Sequence, residues 1–418
     1  MQNSADILDS QVAKATRAKR WRLAILATHP IQYHAPWYRG LAADGRLQIK
    51  VFFCHKQTPQ QQANAGFGVP FEWDTPLLEG YEYEFLTNVA ARPGTSGFWG
   101  LDVPGIGESL RAGGFDAVLV NGWNYKAAWQ AIWASKRLGL PVLTRGDSHL
   151  HSPRSHLKNC IKEICYPLML RAFDGFLDVG KWSREYYLHY GARHDRIFHV
   201  PHVIDEADFL PKTESLRTQR DAVRASWNLP TDATVFLFAG KFVAKKNPIE
   251  FLQALRIAAR AGVRVGGLMV GDGPHRPACQ ELVSDREVPV TFSGFLNQSE
   301  ILKAYVVADC LVLPSDGGET WGIVVNEAMW SGLPCIVSDQ VGCGPDLVAG
   351  KNTGEIFPVH DEAAMAGAMV RLASNPEQRR ACGVRARSLV ESYSIAAAVE
   401  GTVRAVASVV KNGNAHES

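Results

Sequence analysis

The chain has 418 residues, 46% hydrophobic and 21% charged, ordinary globular usage that excludes a mainly disordered, collagen-like or coiled-coil chain. At about 150 residues per domain this length gives two or three domains. Lys and Arg number 44 against 42 Asp and Glu, a net charge of +2, so nothing electrostatic points to nucleic acid as a partner.

The first 20 residues carry Asp6 and Asp9 and no continuous apolar core; they read as a flexible, partly helical tail and not as a signal peptide. Strands are predicted at 22–30, 47–53, 115–122, 141–146, 173–180 and 196–202, with helices near 36–43 and 125–139. The Gln-, Gly- and Pro-rich stretch 54–100 is expected to be irregular or to form a local hairpin. Residues 206–232 are polar and carry no strand pattern, so they read as a linker with one helix around 214–226. A second strand series follows at 235–240, 265–273, 288–294, 310–316, 334–339 and 354–358, and the remainder is helical to about Val410 before a polar tail.

Strands alternating with helices imply an α/β fold with parallel sheets. The division expected is a tail (1–20), a first doubly wound, Rossmann-like domain (21–205), the linker (206–232), a second such domain (233–395), and a C-terminal helix and tail (396–418). Two such domains face each other across a cleft, where these folds bind ligands. No uninterrupted apolar run reaches the ~18 residues of a membrane span. The eight cysteines contain no C-x-x-C pair; they read as free, mostly buried thiols suited to a reducing cytoplasm.

Four clusters in the second series each follow the carboxyl end of a predicted strand. Gly240-Lys241 closes the first strand, and Lys245-Lys246-Asn247-Pro248 opens the next helix. Ammonium groups beside a helix N-terminus suit a diphosphate, although loop lysines can also be merely solvated. Gly271-Asp272-Gly273-Pro274 is a tight turn that lets a ligand approach the backbone, but Arg276 breaks the full G-x-G-x-x-G. Gly294-Phe295-Leu296 offers a backbone edge to a nucleobase, or is an ordinary loop. In 314–334, Glu319 and Glu327 stand eight residues apart around a helix expected to begin near Trp321 or Gly322 and end at Trp330. The amides of Trp321, Gly322 and Ile323 then face a phosphate, and the two carboxylates accept from sugar hydroxyls. The plain alternatives are a dipole-complementing Glu319 and a buried, paired Glu327.

Taken in order, Gly240-Lys241, Lys246, Gly271-Asp272-Gly273-Pro274, Gly294-Phe295 and Glu319-x7-Glu327 resemble the group 1 glycosyltransferases, family 4 of the retaining nucleotide-sugar enzymes, which have the GT-B fold. The resemblance spans nearly the whole chain and is tightest over 233–360. It implies that the second domain binds a nucleoside diphosphate sugar, the donor, and the first an acceptor. Lys241, standing for the usual Arg, and Lys246 would bind the diphosphate. Glu319 would meet the donor sugar near the reacting centre and Glu327 the ribose. Trp321-Gly322-Ile323 replaces a Phe-Gly-Leu step, and Asn247 replaces a common Gly.

In the first domain the resemblance is looser. Thr28-His29-Pro30-Ile31-Gln32-Tyr33 stands where many relatives have a Gly-Gly loop, and Asn121-Gly122-Trp123-Asn124 where some have a catalytic His. His29, Asn121, Arg145 and Asp147 are candidate acceptor-side residues.

The resemblance implies a retaining transferase acting on a glycan, lipid-linked or small-molecule acceptor in polysaccharide or glycoconjugate biosynthesis. No cofactor and no metal are expected, since the donor domain has no D-x-D pair. The alternatives are a degenerate GT-B protein that binds nucleotide sugar and a nucleotide-sugar epimerase of related fold. The place expected is the cytoplasm, with peripheral contact to the inner membrane face as the alternative. The segment 153–173 motivates that contact, because it mixes Arg154, Lys158, Lys162 and Arg171 with Ile161, Ile164, Leu168, Met169 and Leu170. A basic amphipathic helix lies well in an anionic interface. The reading favoured here is plainer: a surface helix with its apolar stripe in the core.

Overall fold

The computed structural model describes residues 20–63, 69–152 and 155–413. Most of the expected tail over 1–20, Pro153 and Arg154 of the basic segment, and the polar end after 413 lie outside them.

The first half is a sheet of seven strands, β1 (Trp21–Ala27), β2 (Leu47–Phe53), β3 (Glu82–Phe85), β4 (Ala117–Asn121), β5 (Val142–Gly146), β6 (Gly175–Asp178) and β7 (Ile197–His199), in the order β3-β2-β1-β4-β5-β6-β7. The second has six, β8 (Thr234–Ala239), β9 (Val265–Val270), β10 (Val290–Gly294), β11 (Cys310–Leu313), β12 (Cys335–Ser338) and β13 (Gly354–Phe357), in the order β10-β9-β8-β11-β12-β13. Every pairing is parallel. Central strands are therefore covered on both faces, and every residue of β8 and β9 is buried. In both sheets the strand order reverses beside the first strand, between β1 and β4 and between β8 and β11. The crevice at such a reversal is where open α/β sheets hold ligands.

Side-chain alternation splits each half into two apolar layers. Ala24, Leu26, Val118 and Val120 face one side of the first sheet, and Leu23, Ile25, Ala117 and Leu119 the other. The helix Ile395–Gly413 covers the second of these, burying Ala398, Val399, Val403, Val406 and Val409. Gly401 permits that crossing, because a Cβ there would lie 2.0 Å from the His199 carbonyl oxygen. The apolar stretch within Pro376–Val410 is long enough to span a bilayer by composition, and its final helix is core packing of the first sheet.

Three expectations are corrected. Residues 82–85 form no hairpin: β3 is a parallel edge strand beside β2, with Lys50 reaching Glu82 and Glu84 at 3.4 and 3.0 Å. Charge pairing across the edge replaces the apolar alternation that announces a strand. The polar stretch expected as a linker holds two helices, Glu206–Arg217 and Arg220–Ser226. Arg220 and Arg224 both bond Asp309 at 2.7 Å, and Arg224 also donates to the Val307 carbonyl; buried arginine makes a packed segment read as solvated. Lastly, most of the apolar stripe of helix His156–Leu170 is not in the core, although Leu170 is buried there and Met169 packs against it. Leu157, Ile161, Ile164 and Leu168 are 71%, 52%, 71% and 60% exposed. The inner face is taken by Tyr166, packed on Trp123 and Tyr190, with the Lys162 ammonium 4.8 Å from the Tyr166 ring centre.

Candidate active site

A cavity of about 300 Å³ lies at the carboxyl ends of β8 and β9. Its floor is Gly240, Lys241, Gly271 and Asp272; one wall is Phe295 and Leu296 after β10; another is Glu319 with Gly322, Ile323 and Glu327 of the helix Ile323–Trp330. The first half contributes Tyr33 and Trp73. Ten of the eleven residues expected at the donor thus line one space; Trp321 does not.

The loops that carry these residues are stitched together. Gly271 has φ +127°, and a Cβ on it would sit 2.0 Å from the Gly240 carbonyl oxygen. The turn after β9 therefore needs glycine for backbone approach, whatever it binds. Asn247 adopts φ +50°, a left-handed conformation that asparagine tolerates, and its Nδ2 donates to the Pro314 carbonyl at 2.8 Å. The asparagine that stands in place of a common Gly thus ties this loop to the Glu319 loop. Asp316 N donates to the Lys245 carbonyl at 2.9 Å, and Lys245 Nζ to the Gly318 carbonyl at 3.2 Å.

Charge is concentrated at one end. Lys246 Nζ donates to Glu319 Oε2, and both side chains are largely buried. Burial raises the Glu319 pKa, but the charge and hydrogen bond of Lys246, with Lys245 and Ser315 behind them, outweigh it and hold the carboxyl below its ordinary value. Burial, reinforced by Lys245 and Lys246, lowers Lys241 to about 8. Gly322, at φ +96°, precedes the helix Ile323–Trp330, and no side chain caps its first turn. Such a terminus with lysines beside it suits an anion. Glu327 is buried about one turn further along the same helix; the Tyr305 hydroxyl donates to it at 2.5 Å, and burial pushes its pKa up to about 7.

The other expected residues lie elsewhere. Trp321 is buried between the halves, its Nε1 donating to Asn326 Oδ1 at 2.9 Å and its ring beside His202 and Tyr393. Arg145 is buried over the Trp37 ring and donates to the Val200 and Pro201 carbonyls. Asn121 Nδ2 donates to the Tyr38 hydroxyl at 2.8 Å. His29 bonds Thr28, and burial together with His55 lowers it to about 4. Asp147 accepts from Thr320 Oγ1 at 2.6 Å, across the cleft and next to Glu319. None of these four first-half residues lines the cavity. No role for Tyr33, Trp73 or Tyr305 is expected from the sequence. Tyr33 was visible in its motif; Trp73 sits in a stretch without periodicity, and Tyr305 in a helix that reads as plain core. Among the described residues no group of three or more His, Cys, Asp or Glu is placed to hold a metal ion.

Residues 219–389 match the family described as glycosyl transferases group 1. The chain is similar to an alpha-D-kanosaminyltransferase of Streptomyces kanamyceticus, 30% identical over 190 residues, 45% of this chain and 48% of that protein; it spans about half the length of the curated relatives it matches. Among solved structures, a glycosyltransferase from Rickettsia africae superposes with a TM-score of 0.71 at 14% identity, covering 94% of this chain and 99% of that one. HepE of Anabaena, solved with UDP and glucose, gives 0.66 at 15%, covering 93% and 100%. The fold is GT-B.

Proposed function

We propose that this chain, whose residues 219–389 match the group 1 glycosyl transferases, is a retaining, metal-independent family 4 hexosyltransferase. It would move a sugar from a nucleoside diphosphate sugar to a glycan, lipid-linked or small-molecule acceptor in polysaccharide or glycoconjugate biosynthesis. The observation that carries this reading is the buried Lys246–Glu319 pair beside Lys241 and an uncapped helix. Lys241, Lys246 and the amides of the first helical turn receive the diphosphate. Lys246 then stands between phosphate and Glu319, and Glu319 accepts from the sugar hydroxyls. As the bond from the anomeric carbon to the diphosphate oxygen breaks, negative charge grows on that oxygen, facing lysines already in place. The acceptor oxygen bonds the same carbon from the same face, and its proton passes to the departing diphosphate. Glu327 receives the ribose hydroxyls. With protein cations meeting the diphosphate, activity is expected to persist in EDTA.

The test is transfer from a panel of nucleotide sugars, with the anomeric configuration of the product read by NMR. Transfer with retention supports the reading. Inversion overturns the retaining assignment, binding without transfer marks a degenerate protein, and isomerised sugar without acceptor marks an epimerase. Eight free cysteines support a cytoplasmic place. The outward stripe of helix His156–Leu170, flanked by Lys158 and Arg171, supports contact with an anionic membrane face.

A further inference from the structure

The two ends of the cavity differ in chemistry. Lys241, Lys246 and the first turn of Ile323–Trp330 make one end cationic, whereas Phe295, Leu296 and Ile301 make the other apolar. A diphosphate at the first end leaves the nucleoside for the second. At that end the wall is completed by the first half, through a strap at residues 71–76.

The strap is fastened on both sides of Trp73. Asn297 Nδ2 donates to the Glu72 carbonyl at 2.7 Å. The backbone N–H and the hydroxyl of Ser299 donate to Asp74 Oδ2 at 3.1 and 2.5 Å. A carboxylate from the first half thereby adds to the Asn297 cap at the N-terminus of the helix Gln298–Val307 in the second. The Phe71 ring packs on Phe295 with centres 4.3 Å apart and meets Trp73 edge-on at 4.8 Å. Its anchored neighbours Glu72 and Asp74, with Phe71 packed on Phe295, fix the backbone of Trp73, and its side chain lines the donor cavity at the Phe295–Gln298 end.

We propose that Trp73 is a donor-binding residue supplied across the cleft by the acceptor-side half: the base of the nucleoside diphosphate stacks on its indole, and Asp74 is the positioning residue that holds the strap against the donor-side half. The proposal rests on the donor reading above. Stacking on an aromatic face tolerates any base, so Trp73 adds affinity without choosing the nucleotide. It also couples binding to closure, because only when the strap is seated do both walls of the nucleoside end exist.

The experiment is titration calorimetry on the full chain with UDP, GDP, ADP, CDP and dTDP, and with inorganic pyrophosphate as the probe that lacks a base. Trp73→Ala is expected to weaken the preferred nucleoside diphosphate roughly tenfold or more and to leave pyrophosphate unchanged, with Trp73→Phe recovering most of the loss. Asp74→Ala is expected to reproduce the defect, and Asp74→Asn, which keeps an oxygen for Ser299, to relieve it. Unchanged nucleotide affinity in Trp73→Ala overturns the proposal, as does an equal loss for pyrophosphate. Wild-type protein that binds pyrophosphate but no nucleoside diphosphate also overturns it. Wild-type protein that binds none of the six overturns the donor reading itself, so the two failures are distinct.

Discussion

Lys241 at about 8 and Glu327 at about 7 both titrate where enzymes are assayed, and both do so because burial disfavours their charged forms. For Lys241 the consequence is in binding. Affinity for the preferred nucleoside diphosphate should fall as pH rises from 7 to 9, and Lys241→Arg, which stays charged, should flatten the fall. A flat wild-type profile by calorimetry would remove Lys241 from the diphosphate site. For Glu327 the consequence is in stability. Its folded pKa lies above its ordinary 4.5, so the folded state binds that proton more tightly and stability drops as pH climbs from about 4.5 to 7. The full drop is on the order of 3 kcal/mol. Glu327→Gln should therefore have the higher Tm at pH 8 but not at pH 4; equal Tm values at both would contradict a buried, ionising Glu327. Glu319 acts differently, since its charge is already matched by Lys246. Glu319→Ala should lower kcat at least about a hundredfold while nucleoside diphosphate affinity holds or tightens, because Lys246 is released toward phosphate. Near-normal turnover would sink its role.

Element by element, what the sequence discloses is what local chemistry decides. The helix Ile323–Trp330 begins where Gly322 ends the loop and stops before Gly332, and both glutamates sit where the spacing puts them. The strands that β-branched runs announce are present in order. Tyr33 stands in a distinctive motif and Trp73 in a stretch without periodicity, but neither was legible as a donor-side residue, because both reach the cavity from the other half. The helix His156–Leu170 is the sharpest case. Periodicity reveals that Leu157, Ile161, Ile164 and Leu168 share a face, but not whether that face turns inward. Here Leu170, Tyr166 and the stem of Lys162 took the inner side. The exposed face yields a prediction about the element alone: the protein should sediment with anionic vesicles, less with neutral ones, and Ile161→Glu with Ile164→Glu should abolish this without lowering Tm, since neither side chain is buried. Binding to neither vesicle would leave the stripe without a membrane role.

At the scale of the whole molecule, the two halves meet through a few specific contacts around the cleft, and these set how closely Glu319 approaches whatever the first half holds. Asp147 bonds Thr320, next to Glu319. The carboxylate of Asp346 lies on the N-terminus of the helix Lys181–His189, accepting from Lys181 N at 3.0 and 3.1 Å, a placement the helix dipole favours. Between these contacts Trp321 packs against Gly180. A Cβ at residue 180 would stand 2.5 Å from Trp321 Cζ3 and 3.0 Å from Asp346 Oδ2. Gly180 is extended, so its backbone would accept alanine; only the opposite half would not. Gly180→Ala is therefore a wedge that alters no residue lining the cavity. It should hold the halves slightly apart, and a displacement of about 1 Å at a reacting centre is enough to cost on the order of a hundredfold in rate. The expected outcome is a fall in kcat of roughly tenfold or more, with pyrophosphate affinity unchanged because Lys241, Lys246 and the helix terminus all belong to the second half. Retained kcat would mean that Trp321 yields without moving its domain, and that closure is set elsewhere. Loss of pyrophosphate binding would mean that the wedge had disturbed the donor half itself.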